Sequence, residues 1–161
     1  MAKEVTMNIS EEGKNLIKKF EGRKTHIYVC PGGKISGGIG HALSTNEKRH
    51  YKIGSHIESI HIEKWFQEDL SKAEKTVNLW VVPIINQNQF DALVSLVFNI
   101  GPDQFKRSTL LKLVNKGEFN MASEEFSRWT HSKGKVLSGL VARRSAEEDL
   151  FKKEMAEDAV T

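Results

Sequence analysis

Only one cysteine, Cys30, occurs in the 161 residues. No intramolecular disulfide can form, so the fold must stand on its packed core, which suits a reducing compartment. No apolar run is long enough to cross a bilayer. Met1 to Ser10 is too polar for the apolar segment of a signal peptide. Such a chain is expected to be made and kept in the cytoplasm, without a membrane anchor, unless another agent releases it. The histidines at 26, 41, 50, 56, 61 and 131 form neither H-E-x-x-H nor another strong ligand pattern, so no metal and no cofactor is expected. G-x-S-x-G is absent, which removes a common serine-hydrolase arrangement. There are no repeats or low-complexity tracts, and no dense basic run interleaved with aromatics; the last argues against a nucleic-acid partner.

Lysine and arginine exceed aspartate and glutamate by 24 to 21. So mild an excess fits attraction to a polyanionic surface, bacterial wall or nucleic acid, without choosing between them. Hydrophobic residues at 39% and charged residues at 28% are ordinary for a soluble globular protein. The length suits one domain, 1–161, folded as two lobes around a cleft.

Ser10 is a good N-cap, Glu11 and Glu12 suit a first helical turn, and Leu16, Ile17 and Phe20 share a face. A helix is therefore expected over about 10–21, with Gly22 as its stop. From about 22 to 60 the glycines at 32, 33, 37, 38, 40 and 54 surround the β-prone Ile27-Tyr28-Val29, which predicts a small hairpin or three-stranded sheet. Helical periodicity returns over Ile62 to Val81, ended by Pro83. Asn86 to Ile100 is apolar enough to be the central buried helix. Shorter helices are expected over Ser108 to Asn115 and Asn120 to Trp129, then a loop over Thr130 to Gly134. A last helix runs from Ser138 to Met155, with a frayed tail from Ala156 to Thr161. The fold class is α+β: a small N-terminal β lobe joined by a long helix to a larger helical lobe, about 82–155 plus the first helix.

Glu21 is the first group able to carry chemistry. An arbitrary glutamate at a helix end is usually solvated. This one lies between apolar Phe20 and Gly22, at an edge where partial shielding raises a carboxyl pKa toward that of a general acid. Cys30 follows nine residues later, before the turn Pro31-Gly32-Gly33, and Ser36 six beyond that. A lone cysteine is commonly a buried hydrophobe, but at a loop edge a thiol can hold a water, act as base or attack as nucleophile. An acid, a thiol and a small hydroxyl so placed suit glycosidic hydrolysis, one group protonating the leaving oxygen while the others hold or activate a water. His41 reads as a structural histidine paired with a carboxylate of the following helix, Asp69 being the expected partner.

The residues Phe20-Glu21-Gly22, Cys30, Ser36 and Gly38-Ile39-Gly40-His41 resemble the phage-type lysozymes, the muramidase endolysins of tailed bacteriophages. The family pattern is F-E-G, an aspartate nine residues after the glutamate, and a threonine six further on within T-[IV]-G-[YI]-G-H. The resemblance continues at Gln89-Phe90-Asp91-Ala92-Leu93-Val94-Ser95, at Phe98-Asn99-Ile100-Gly101 and at Ser108-Thr109-Leu110-Leu111. It closes at Trp129 and Gly139-Leu140-Val141-Ala142-Arg143-Arg144 with Glu147, so it covers about Ile9 to Phe151.

The resemblance implies a lysozyme-like fold and hydrolysis of the β-1,4 bond between N-acetylmuramic acid and N-acetylglucosamine in peptidoglycan, with inversion. Glu21 would be the general acid, with Cys30 and Ser36 at the water-positioning aspartate and threonine. Ala42 and Thr109 fall where relatives touch sugar. Phe98 and Asn99 fall where relatives line the cleft, although Phe98 reads equally as core. Arg143 matches the arginine facing the catalytic glutamate. The departures also carry expectations. A thiol near a carboxylate should have a raised pKa, and Gly37, replacing a β-branched residue, should make the hairpin more flexible.

The resemblance further implies a monomer that acts from the host cytoplasm on periplasmic peptidoglycan once a holin has permeabilised the membrane. A catalytically weak or inactive glycan-binding relative is the second reading, opposed by the intact Glu21. A virion part is the third, opposed by the lack of trimerising repeats.

Overall fold

Ser10 opens helix α1 (Glu11–Glu21) by accepting the Gly13 N–H on its side chain, and Gly22 ends it at a φ of 69°. The computed structural model describes residues 6–155. Ser10 is itself held from below. Asp91, fully buried on the central helix, accepts its backbone N–H at 3.0 Å, its hydroxyl, and the Gln87 amide at 2.8 Å. A Cβ at Gly13 would overlap Asp91 and Ile9, so the two helices cross closely there. These contacts fix where α1 begins, and through the helix they anchor Glu21 in its last turn.

Three antiparallel strands follow in sheet order: β1 (Lys24–Val29), β2 (Ile35–Gly38) and β3 (His41–Ala42). Tyr28 pairs with Ser36 and Ser36 with Ala42, which aligns these three residues in one row across the sheet. α2 (Ser59–Trp80) then runs from this lobe to the larger one. Its buried Ile62, Trp65, Phe66, Leu70, Ala73 and Val77 recur at helical spacing. A reciprocal cap between Asn86 and Gln89 starts α3 (Gln87–Ile100). Its Phe90, Ala92, Leu93, Val94, Leu96 and Val97 form the middle of the core. Around it lie α1, α2, α4 (Pro102–Lys106), α5 (Thr109–Asn115), α6 (Phe119–Glu124) and α7 (Ser138–Lys152). The architecture is α+β.

Several local expectations change. α2 begins at Ser59, three residues before the first apolar position of its stripe. Pro102, at the first helical position where its missing N–H costs nothing, starts α4 instead of only closing α3. The segment expected as helix to Trp129 tightens into a 3-10 turn over Glu125–Arg128. The segment expected as a loop after Thr130 is a second hairpin, β4 (His131–Ser132) and β5 (Lys135–Val136). Its tip places Lys133 (φ 51°) and Gly134 (φ 77°) in the left-handed region that tight hairpins need. Two-residue strands are too short to show alternation in a sequence. α7 ends at Lys152, before Met155, and the expected tail lies outside the described residues.

Gly37 is a further correction. It is buried in β2, where a Cβ would come within 2.5 Å of Ile57 Cδ1 and 2.9 Å of Ile27 Cδ1. The missing side chain makes room for close packing and does not loosen the hairpin. Gly37→Val should therefore destabilise the protein by about 1–3 kcal/mol through overpacking, read in urea as a lower midpoint with unchanged slope. Unchanged stability would restore the view of Gly37 as a flexible hairpin residue.

Candidate active site

A cleft of about 720 Å³ separates the sheet from the helical lobe, and Glu21, Cys30, Ser36, Ala42, Phe98 and Asn99 all line it. Glu21 occupies the last turn of α1, its side chain 14% exposed. Arg143, on α7 and almost wholly buried, donates through Nη1 to Glu21 Oε1. The same guanidinium donates from Nε to Glu147 Oε2 at 3.2 Å and from Nη2 to the Ser95 carbonyl at 3.0 Å. One side chain thus ties the acid's helix to α3 and α7. The other face of the carboxyl meets Gly40, at φ 65°, where a Cβ would overlap Glu21 Oε2. Glycine is required there both for the backbone angle and for the space.

Arg144 continues the network. It donates through Nη2 to Asn99 Oδ1, and Nη1 stands 3.0 Å from Glu147 Oε1 as an ion pair without hydrogen-bond alignment. Burial pulls its pKa down to about 10; Glu147 pulls up, Arg143 down and Glu21 up. With Asn99 Oδ1 engaged, the amide's N–H donors are left for the cleft.

Cys30, half-buried, begins the turn that joins β1 to β2. Its N–H donates to the Lys34 carbonyl at 2.9 Å, and its own carbonyl accepts from Gly33 N–H at 2.8 Å. Burial pushes the thiol pKa up, but the Lys34 N–H, the Ser36 hydroxyl and the Gly32 and Gly33 N–H groups outweigh it and lower the pKa below the ordinary 9.0. The expected rise is thereby corrected: donors gathered by a tight turn stabilise the thiolate. The Ser36 hydroxyl donates to the Lys34 carbonyl at 3.1 Å.

His41 lies beneath the sheet, stacked on Trp65 with ring centroids 4.5 Å apart. Its Nδ1 is 2.7 Å from Asp69 Oδ2 and its Nε2 2.8 Å from Glu47 Oε1. Burial alone would lower its pKa, but the hydrogen bonds and charges of the two carboxylates prevail and raise it. Asp69 also lines the cleft, whereas His41 and Arg143 lie behind it. Thr109 is exposed at the start of α5 and is not among the cleft-lining residues. Phe98 does two things at once, lining the cleft and packing edge-on against Phe66 at 5.9 Å.

The sequence reading missed Tyr28, Lys34, Lys72, Trp129, His131 and Ser132, which also line the cleft. Tyr28 was within reach, being two residues before Cys30 and opposite Ser36. Burial raises its pKa, and negative charge on Cys30 and Glu21 adds to the rise, so it stays a phenol and a donor. His131 and Ser132 arrive on the second hairpin. That hairpin meets the Cys30 turn: a Cβ on Gly33 would lie 3.1 Å from Lys133 Nζ, and one on Gly32 4.0 Å from Ser132 Oγ.

The family model for phage lysozymes matches residues 18–147. The endolysin of Acyrthosiphon pisum secondary endosymbiont phage 1 is 41% identical over 149 residues, covering 90% of this chain and 98% of that one. The endolysin of Salmonella phage P22 is 33% identical over 145 residues, covering 90% and 98%. Among solved structures, the endolysin of Escherichia coli O157:H7 phage FAHEc1 superposes with a TM-score of 0.81 at 30% identity, over 94% of this chain and 97% of that one.

The His41 cluster sets a stability window. The raised pKa of His41 makes its contribution full below the ordinary value of about 6.5 and lost as pH rises through the folded value. Burial pushes Glu47 up, but its donors and His41 lower it, so its contribution is full above the ordinary 4.5 and lost as pH falls through the folded value. In urea titrations across pH, the stability gap between wild type and His41→Asn should be widest between those ordinary values and shrink on both sides. A gap independent of pH would mean that His41 acts by packing alone.

Proposed function

The chain belongs to the phage lysozyme family, and from that premise we propose that Glu21, Cys30 and Ser36 carry out the hydrolysis for which this endolysin, a glycoside hydrolase, is built. The substrate is peptidoglycan, and the bond is the β-1,4 link between N-acetylmuramic acid and N-acetylglucosamine. Glu21 delivers its proton to the leaving glycosidic oxygen. Arg143 occupies Oε1, so the transferable proton resides on Oε2. A water on the opposite side attacks the anomeric carbon as the glycosidic bond breaks. Its proton passes to the Cys30 thiolate, and Ser36 holds the water's orientation. That Glu21, Cys30 and Ser36 line one cleft is the observation that carries this assignment, and the turn that lowers the Cys30 pKa supports it.

Asn99, Ala42 and Phe98 bind sugar in this reading, and the Asn99 amide donates to an acetamido or hydroxyl oxygen. Thr109 serves the substrate only at the outer end of a long glycan, since it lies off the cleft. The whole chain acts as one catalytic domain and as a monomer. It is made in the host cytoplasm and reaches the periplasmic peptidoglycan when a holin opens the membrane. In support, no helix among the described residues is long and apolar enough to cross a membrane.

Two variants test the roles. Glu21→Gln should lose at least about a hundredfold in rate, and mass spectrometry should find fragments ending in reducing N-acetylmuramic acid with wild type only. Cys30→Ala should lose at least about tenfold, while Cys30→Asp retains activity. As the base must be deprotonated, wild-type activity should rise with pH through the Cys30 pKa, and Cys30→Asp should move that limb down toward the carboxylate range. Superimposable pH profiles for the two enzymes would remove Cys30 as the base. A β-anomeric first product, seen by NMR, would instead make it a nucleophile.

A further inference from the structure

At the far end of α2 the chain exposes apolar side chains that the cleft does not use. Leu79 is 77% exposed, Trp80 41%, Val82 59% and Ile84 90%, although Val81 and Ile85 between and after them are buried. None of the four lines the cleft. Their display is built. The Asn115 side chain accepts the Val82 N–H at 2.9 Å and donates to the Trp80 carbonyl at 3.0 Å, pinning the backbone on both sides of Val81. Lys106 Nζ sits 5.2 Å from the centre of the Trp80 ring.

The exposed charges around this patch are predominantly basic. Lys75 stands one helical turn before Leu79, while Lys106, Arg107, Lys112 and Lys116 are exposed on α4, on α5 and just beyond their ends. The acids of the same stretch are Asp103 and Glu118, exposed, and Glu74, which is turned to the Ile9 N–H at 2.8 Å. The other acids of α2, Glu63, Glu68 and Asp69, and its N-cap Glu58 belong to the opposite half of the helix. An indole and three aliphatic side chains ringed by basic groups are matched by a surface with acyl chains beneath anionic headgroups. A second copy of this chain is a poor match, because face-to-face pairing would bring the same cations together.

We propose that this corner, Leu79 to Ile84 with its lysine rim, is a peripheral docking surface for an anionic phospholipid bilayer. Docking leaves the cleft free and is independent of the hydrolytic mechanism.

The test is co-sedimentation of the full-length protein with vesicles containing phosphatidylglycerol and with vesicles of phosphatidylcholine alone. Wild type should bind the anionic vesicles, release in high salt, and show a blue-shifted Trp80 emission. The double variant Leu79→Ser, Ile84→Ser should bind at least about tenfold more weakly, as should Lys106→Glu, while both hydrolyse lipid-free peptidoglycan at the wild-type rate, which shows that they are folded. Equal binding to neutral vesicles, no binding, or undiminished binding by the variants would overturn the proposal. A concentration-dependent dimer in sedimentation velocity, lost in the double variant, would assign the patch to self-association instead.

Discussion

The guanidinium of Arg143 is the hub of the structure. It is buried, so its charge is tolerable only because Glu21, Glu147 and the Ser95 carbonyl surround it. Those three partners sit on α1, α7 and α3, so the helices cannot drift apart without stranding a charge in a low-dielectric interior. Breaking such a pair from one side typically costs about 3–5 kcal/mol. The carboxyl proposed as the acid is therefore also a structural member. Its direction is set by residues more than a hundred positions away in sequence.

The two walls of the cleft are held by different physics. On the helical side, an ion pair to Glu21 and a hydrogen bond to Asn99, both of long sequence separation, fix the two side chains, and a buried core stands behind them. On the sheet side, what shapes the Cys30 turn is local: two backbone hydrogen bonds and the Ser36 hydroxyl on the Lys34 carbonyl. The acid thus depends on the global fold, whereas the group facing it depends on a hairpin. The charge of the thiol accordingly answers to its own turn, whose N–H groups lower its pKa, and not to the helical framework.

What the sequence disclosed follows the same division. Glu21, Cys30 and Ser36 were legible because their spacing lies within one helix end and one hairpin, and the helix boundaries followed caps and apolar periodicity. The lowered pKa of Cys30 was not, because it comes from donors gathered only once the turn closes. Glu47 as the second partner of His41 escaped notice because a single 3-10 turn swings it back onto the ring. Gly37 was misread because its role is set by Ile27 and Ile57, which reach it from a neighbouring strand and from the chain leading into α2. The hairpin of His131 to Val136 had too few residues to announce itself.

That second hairpin changes what a polymer meets. Ser132 and Lys133 stand against Gly32 and Gly33 across the mouth of the cleft, so the two lobes touch at a second place besides their shared core. A strand laid into the trench from the side meets both lobes at that point, one of them presenting an ammonium group.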